Sequence, residues 1–396
     1  MITPAYAPTA TERVLPRLAL DFTTAVLDPR VTVTRALNTA TVTNISGVVE
    51  IVNANLPRFD YASGVSRGLL IEESRTNVIL TSTFATLAGS AGSQYPSGTG
   101  WSSFFSTGGT RTYVASSVFA GAQALDIVGV SAARNIIGFS FAAASSTTYT
   151  VSFYIEAVSG VSGVIASAGG TLGTGGTSGF VSAPTTTGRY SYTFTTGTSA
   201  GTVFLRFGIG ASTNENGSIR ISNVQCEVGA FATSYIPTTA TTLTRNADVV
   251  SMTGTNFSDW YNATGGAILA RSRQSVITGT RPSIYMSDGT ANNIISLRGL
   301  AANPELYIKA TTDQAQIDAG TLTANSNFGL VGAWATNNCA AAINGGAAVT
   351  DTSATIPTVD RMLIGSDGTN YLNGQVARIS YWPQRLINAE VQAFSK

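Results

Sequence analysis

Six charged side chains, Arg58, Asp60, Arg67, Glu72, Glu73 and Arg75, fall within residues 55–77 of a chain in which only 11% of residues are charged. The adjacent carboxylates Glu72 and Glu73 are the residue type that cleaves glycosidic bonds, one as acid and the other as nucleophile or base. Their spacing argues against that use. On a strand, successive side chains point to opposite faces, so the pair does not face one substrate. The cluster reads instead as structural, with Glu72, Glu73 or Asp60 pairing with Arg58, Arg67 or Arg75. A buried charge left unpaired costs several kcal/mol.

Other chemistry is excluded by residue type. The chain has no histidine, so Ser-His-Asp and Cys-His nucleophilic sites cannot form. The commonest zinc, copper and iron ligand sets go with them. Cys226 and Cys339 are two distant thiols, which make neither a disulfide framework nor a metal site. The Gly-rich run 168–179 carries no lysine, so it is not a phosphate-binding loop. No catalytic residue, metal or cofactor is expected. Net charge is +1 with no basic stripe, which excludes nucleic acid as a partner. No apolar run is long enough to span a bilayer, and the N-terminus lacks the pattern of a signal peptide. Basic residues are nearly all arginine, with only Lys309 and Lys396 besides. Arginine suits packed interfaces, and the expectation is a homo-oligomer, with a trimer favoured.

Sugar binding needs aromatic faces together with short polar groups. Tyr95, Trp101, Phe104 and Phe105 lie in a Gly/Ser-rich stretch that reads as loop. They form either a sugar platform or a cap on a core. Trp260 and Tyr261 are further aromatic candidates, with a structural role the competing reading. Trp334 and Trp382 end strand-like patterns and read as packing or subunit contacts.

The elements that position these residues are short strands. β-branched runs at 39–43 and 48–52 flank the turn Asn44-Ile45-Ser46-Gly47, a hairpin signal. Thr148–Ala157, Arg189–Thr195, Thr202–Ile209 and Ser218–Val228 alternate apolar and polar residues, as half-buried antiparallel strands do. A second strand set follows a linker at about 237–245. Asn344-Gly345 and Asn373-Gly374 are turn signals, and Asn388 is placed to cap a short final helix. The expected class is all-β: an attachment and collar segment over 1–80, then antiparallel sandwiches over 81–236 and 237–396.

Five runs carry a resemblance. Asn55-Leu-Pro-Arg-Phe-Asp-Tyr to Gly68-Leu-Leu-Ile-Glu-Glu-Ser-Arg-Thr-Asn77 resembles a module of bacteriophage virion proteins. Gln225-Cys-Glu-Val-Gly-Ala-Phe-Ala-Thr-Ser-Tyr-Ile-Pro237 resembles the exit of their carbohydrate-binding-module-like jelly rolls. Leu243-Thr-Arg-Asn-Ala-Asp-Val249, Phe257-Ser-Asp-Trp-Tyr-Asn262 and the tail from Tyr371 to Phe394 are similar to the two ends of their concanavalin/laminin-G-like domain. The resemblance implies a virion protein of fibre or spike type, exposed on the particle. It implies other virion proteins and host surface polysaccharide as partners, without catalysis. A capsid decoration protein is the alternative, and a polysaccharide depolymerase a more distant one. Laminin-G-like domains can bind calcium through carboxylates. Asp288, Asp313 and Asp367 lie in loop-like segments, where isolated acids are ordinarily just solvated.

Overall fold

The computed structural model describes residues 15–37, 39–84, 100–106, 109–130, 135–182, 184–209 and 216–396, with the side chains of 104–106 outside the description. Among the described residues the regular elements are nearly all strands, and the chain forms two compact units. One comprises the described residues up to Thr34, with Ser66–Glu72 and Val249–Lys396; the other comprises Arg35–Val65 and Glu73–Asp248. The 1–80 segment, read from sequence as one collar, is distributed over both units. Its strands take hydrogen-bond partners from distant parts of the chain: Leu18–Asp21 pairs with Gly374–Trp382, whereas Arg75–Asn77 pairs with Leu243–Arg245.

The Glu73–Asp248 unit is a sandwich of two five-stranded antiparallel sheets. One runs in the order Gly188–Thr195, Thr148–Ser159, Gly217–Val228, Gln123–Gly129, Thr110–Ala115. The other runs Phe180–Ser182, Val164–Gly170, Thr202–Ile209, Asn135–Ala142, Trp101–Ser106. Alternation decides what they bury. Val151, Phe153 and Ile155 from the first sheet meet Ile137, Phe139, Val203, Leu205 and Phe207 from the second in one core. Burying each such side chain contributes about 1.5–3 kcal/mol. The hairpin Ala40–Thr43/Val49–Val52 forms as its turn chemistry requires, with Gly47 at φ +79.

In the other unit a seven-stranded sheet runs from Thr32–Thr34 through Val249–Thr253, Arg361–Ile364, Thr280–Ser287, Asn293–Leu300 and Asn303–Ala310 to Thr312–Asp318. A facing sheet is built around Gly265–Gln274, which lies between Asn327–Ala335 and Gly374–Trp382. The sheets approach closely at Gly332, where an added Cβ would sit 2.8 Å from Leu297 and 2.9 Å from Leu306. The helix Asn388–Phe394 covers the far face of the second sheet, with Val391 against Leu269, Val331 and Trp382.

Three local expectations are corrected. Asn388 is the first helical residue rather than the cap; the capping position is Ile387, whose N–H donates to Glu390 Oε2 at 3.0 Å. Asn344-Gly345 turns as expected, with both φ positive, but Gly374 opens a strand instead of closing a hairpin. There the missing Cβ admits the Arg273 carbonyl. Residues 237–245 are not a free linker. Thr238 Oγ1 donates to the Ile79 carbonyl at 2.5 Å, and Leu243–Arg245 is a strand.

Candidate functional site

A groove of about 540 Å³ opens where the strand Val249–Thr253 runs into a one-turn helix, Thr255–Ser258. Gly254 makes the corner at φ +58, a backbone state that favours glycine, and its carbonyl accepts from the N–H groups of Phe257 and Ser258. Thr253 lies opposite Arg361 in the sheet. The helix therefore projects over the Asp360-Arg361 edge, and Ser258, Tyr261, Asp360 and Arg361 line the groove with Phe257.

Tyr261 packs at 4.8 Å from the Phe257 ring and 6.0 Å from Tyr381. Burial, with the Tyr381 phenol beside it, pushes its hydroxyl well above the ordinary phenol range. That hydroxyl is buried and takes no hydrogen bond from the described residues. Across the groove, Arg361 Nε donates to Asp360 Oδ1 at 2.8 Å, with side chains 42% and 60% exposed. An ion pair so open contributes only about 0–1 kcal/mol, so both partners can turn to a ligand at little cost. An aromatic side chain, a hydroxyl and a paired guanidinium and carboxylate suit a polyhydroxylated ligand.

Of the aromatic candidates whose side chains are described, Trp101 and Trp260 do not line this groove and Tyr261 does. Trp260, its neighbour, is 1% exposed, with its ring 4.8 Å from both Phe257 and Tyr381 and Nε1 donating to the Asn256 carbonyl. Trp101, expected as part of a loop platform, begins a strand and is 4% exposed. Its ring packs against Phe84, Phe139 and Phe207, and Nε1 donates to the Leu80 carbonyl at 2.8 Å. The platform reading of Trp101 and Trp260 is therefore corrected to core packing, because a tryptophan facing the core buries more apolar area than any loop offers. Tyr95 lies outside the described residues, as do the side chains of Phe104 and Phe105, whose backbone belongs to the Trp101–Ser106 strand. Trp334 is fully buried, and Trp382 stacks on Phe394 at 4.9 Å.

The charge cluster extends beyond the six residues singled out in the sequence. Arg58 binds Asp248, with Nε at 3.3 Å from Oδ1 and Nη2 on Oδ2, and donates from Nη1 to the Thr41 carbonyl and Ser234 Oγ. Arg35 takes the same carboxylate at 2.8 Å; both guanidinium groups are 0% exposed and the Asp248 side chain 2%. Arg245, also buried, donates to Thr233 Oγ1, Ser234 Oγ and the Glu73 carbonyl. Glu227 accepts from Thr233 and Gln225 beside it. Within the original six, Arg75 pairs with Glu73 at 2.6 Å, and its guanidinium also lies 4.8 Å over Phe231. Glu72 and Glu73 lie just past the end of the strand Val65–Ile71, so their separation is not set by strand alternation. Asp60 and Glu72 are buried and Arg67 half-buried, each engaged within the fold.

Sequence reasoning missed Arg35, Asp248 and Arg245. A signal was present: Arg245 and Asp248 are the only charges between residues 237 and 254. Isolated acids behave as turn formers. Asp288 is held near 2 by hydrogen bonds from Asn293 and Thr290, and Asp367 accepts from Thr369 and Asn370. Asp313 sits on a strand rather than a loop and accepts from Tyr307 Oη. Among the described residues no group of three or more His, Cys, Asp or Glu is placed to hold a metal ion.

The sheets and their cores define an all-β protein of antiparallel sandwiches. No protein-family model and no curated protein matches the chain. Among solved structures, the CBM40 module of Ruminococcus gnavus IT-sialidase bound to α2,3-sialyllactose aligns at TM-score 0.31 and 12% identity, covering 36% of this chain and 88% of that one. NanB sialidase from Streptococcus pneumoniae aligns at 0.32 and 14%, over 37% of this chain and 26% of that one. Mouse laminin α1 domains LG4-5 align at 0.24 and 8%, over 64% and 88%. Scores this low leave the fold to be read from the chain's own sheets.

Proposed function

We propose that this protein is a bacteriophage virion component of fibre or spike type that binds surface glycan without cleaving it. The virion part rests on the residue runs 55–77, 225–237 and 371–394. The binding part rests on one observation: the groove lined by Tyr261, Ser258, Asp360 and Arg361. Its volume falls within the range of small-ligand sites. Asp360, engaged by Arg361, is the one carboxylate among its lining residues, whereas glycoside hydrolysis uses two. A shallow site of this kind binds weakly, and several copies on one particle raise avidity through effective concentration. A trimer exposed on the particle surface, anchored to other virion proteins, is the assembly that fits this role.

The test is a panel of immobilised neutral and acidic glycans probed with the full chain and with Tyr261→Ala, alongside a reducing-end assay on bound polysaccharide. The expected result is binding that drops about tenfold in the variant, matching the loss of one aromatic contact, with no new reducing ends. Binding indifferent to Tyr261 removes the groove from the reading. Absence of all glycan binding favours a decoration protein, and released reducing ends favour a depolymerase. Imaging of intact phage particles tests the virion assignment separately.

A further inference from the structure

A second surface, independent of the groove, lies on the outer face of the sheet centred on Thr202–Ile209. Val203, Leu205, Phe207 and Ile209 of that strand are each 0% exposed in the core. Alternation therefore turns Phe204 and Arg206 to the opposite face. In register, Arg206 lies between Gly138 on one side and Ser167 on the other. Ser167 is opposite Phe180, and Gly138 is opposite Ser102. The row Phe180–Ser167–Arg206–Gly138–Ser102 thus crosses all five strands, a span of about 19 Å at the usual strand spacing. One pair along, Phe204 lies between Ser140 and Gly169.

Two features set this face apart. Arg206 is the only Asp, Glu, Lys or Arg in all five strands, and it stands on the central one. Its neighbours have been kept small. An added Cβ at Gly169 would lie 3.4 Å from the guanidinium Cζ, so the group lies over glycine backbone; a cavity of about 10 Å³, room for one water, adjoins it beside Ile136, Val164 and Gly208. Phe180, whose neighbour Val181 turns to the core, is 62% exposed at the end of the same row.

We infer that this face binds a polysaccharide whose sugars carry a carboxylate, with Arg206 holding the carboxylate and Phe180 the apolar side of an adjacent ring. A planar guanidinium matches a carboxylate in two parallel hydrogen bonds. Its five donors allow protein contacts on some and ligand on others. Serine hydroxyls at Ser167, Ser140 and Ser102 supply partners for sugar hydroxyls. A single cation amid hydroxyls and phenyl rings fits one carboxylate per repeat. It does not fit a phosphate polymer, which requires clustered cations.

Affinity electrophoresis of the full chain in gels containing polygalacturonate, polysialic acid or neutral dextran tests this. Retardation by at least one carboxylate polymer is expected, with Arg206→Gln weakening it by at least about tenfold. Phe180→Ala, on an exposed edge position, is expected to weaken it as well without lowering the melting temperature. Tyr261→Ala is expected to leave it unchanged, which separates this face from the groove. Retardation by neither polymer, or retardation that survives both Arg206→Gln and Phe180→Ala, overturns the inference. If Arg206→Gln does not fold, the Phe180→Ala result decides alone.

Discussion

At the scale of single residues, the fully buried node of Arg35, Arg58 and Asp248 has the largest energetic consequence. Two guanidinium groups share one carboxylate away from water, so removing Asp248 takes the counter-charge from both buried cations in a poor solvent. Asp248→Ala is expected to destabilise its unit by about 3–5 kcal/mol. Arg361→Ala, which breaks a pair with both side chains largely solvated, should cost about 0–1 kcal/mol. Denaturant unfolding of the two variants checks the contrast, and equal losses would contradict the burial argument. The two thiols should also be inert. Burial pushes Cys339 up to about 11 and Cys226 well above its ordinary value, so neither should react with a thiol reagent in the folded protein at pH 8.

At the scale of elements, pairing depends on a few positions without side chains. The strand Val65–Ile71 joins Gly374–Trp382 through the registers Ile71–Gly374, Leu70–Gln375 and Leu69–Val376. Gly68 precedes them at φ +96, and an added Cβ would lie 2.3 Å from the Val376 carbonyl oxygen. Neither strain is relieved by a side-chain rotation, since the obstructing atom is backbone. Gly68→Ala is therefore expected to cost about 1–3 kcal/mol or more and to increase hydrogen exchange in residues 69–71. A variant with wild-type stability and exchange would show that the strand can shift without loss.

For the whole molecule, the titratable groups set a characteristic pH profile. No histidine titrates near neutrality, so stability should be flat from about pH 5 to 9. Above that range burial takes over. Tyr113 and Tyr381 are each raised to about 12, first by loss of solvent. A folded pKa above the unfolded value near 10 gives stability that is complete below pH 10 and declines as pH rises toward 12. On the acid side the sign reverses. Burial alone would raise Glu156, but hydrogen bonds from Ser116 and Ser117 outweigh it and hold the carboxyl below its ordinary range. Its stabilisation is present above about pH 4.5 and lost as pH falls through the lowered value. Denaturation midpoints at pH 3, 6, 8 and 11 test the profile, and a shift between pH 6 and 8 would contradict it.

The sequence by itself determined the class and many of the strands. Alternation over Thr148–Ser159 and Thr202–Ile209 is a local pattern, and burying one face of a strand in a sandwich core needs only that pattern. Absence of histidine likewise excluded whole chemistries without reference to any fold. Partnership is not local. Arg58 meets Asp248 across 190 residues, and Arg206 gains its glycine and serine flanks from strands that begin far from it in the chain. Composition alone could not tell whether Trp101 or Tyr261 reaches a surface, since an indole and a phenol serve a core as well as a sugar. Only sheet order and register decided that Trp101 points inward while Tyr261 lines a groove, because they fix which face of each strand and turn is left without a neighbour.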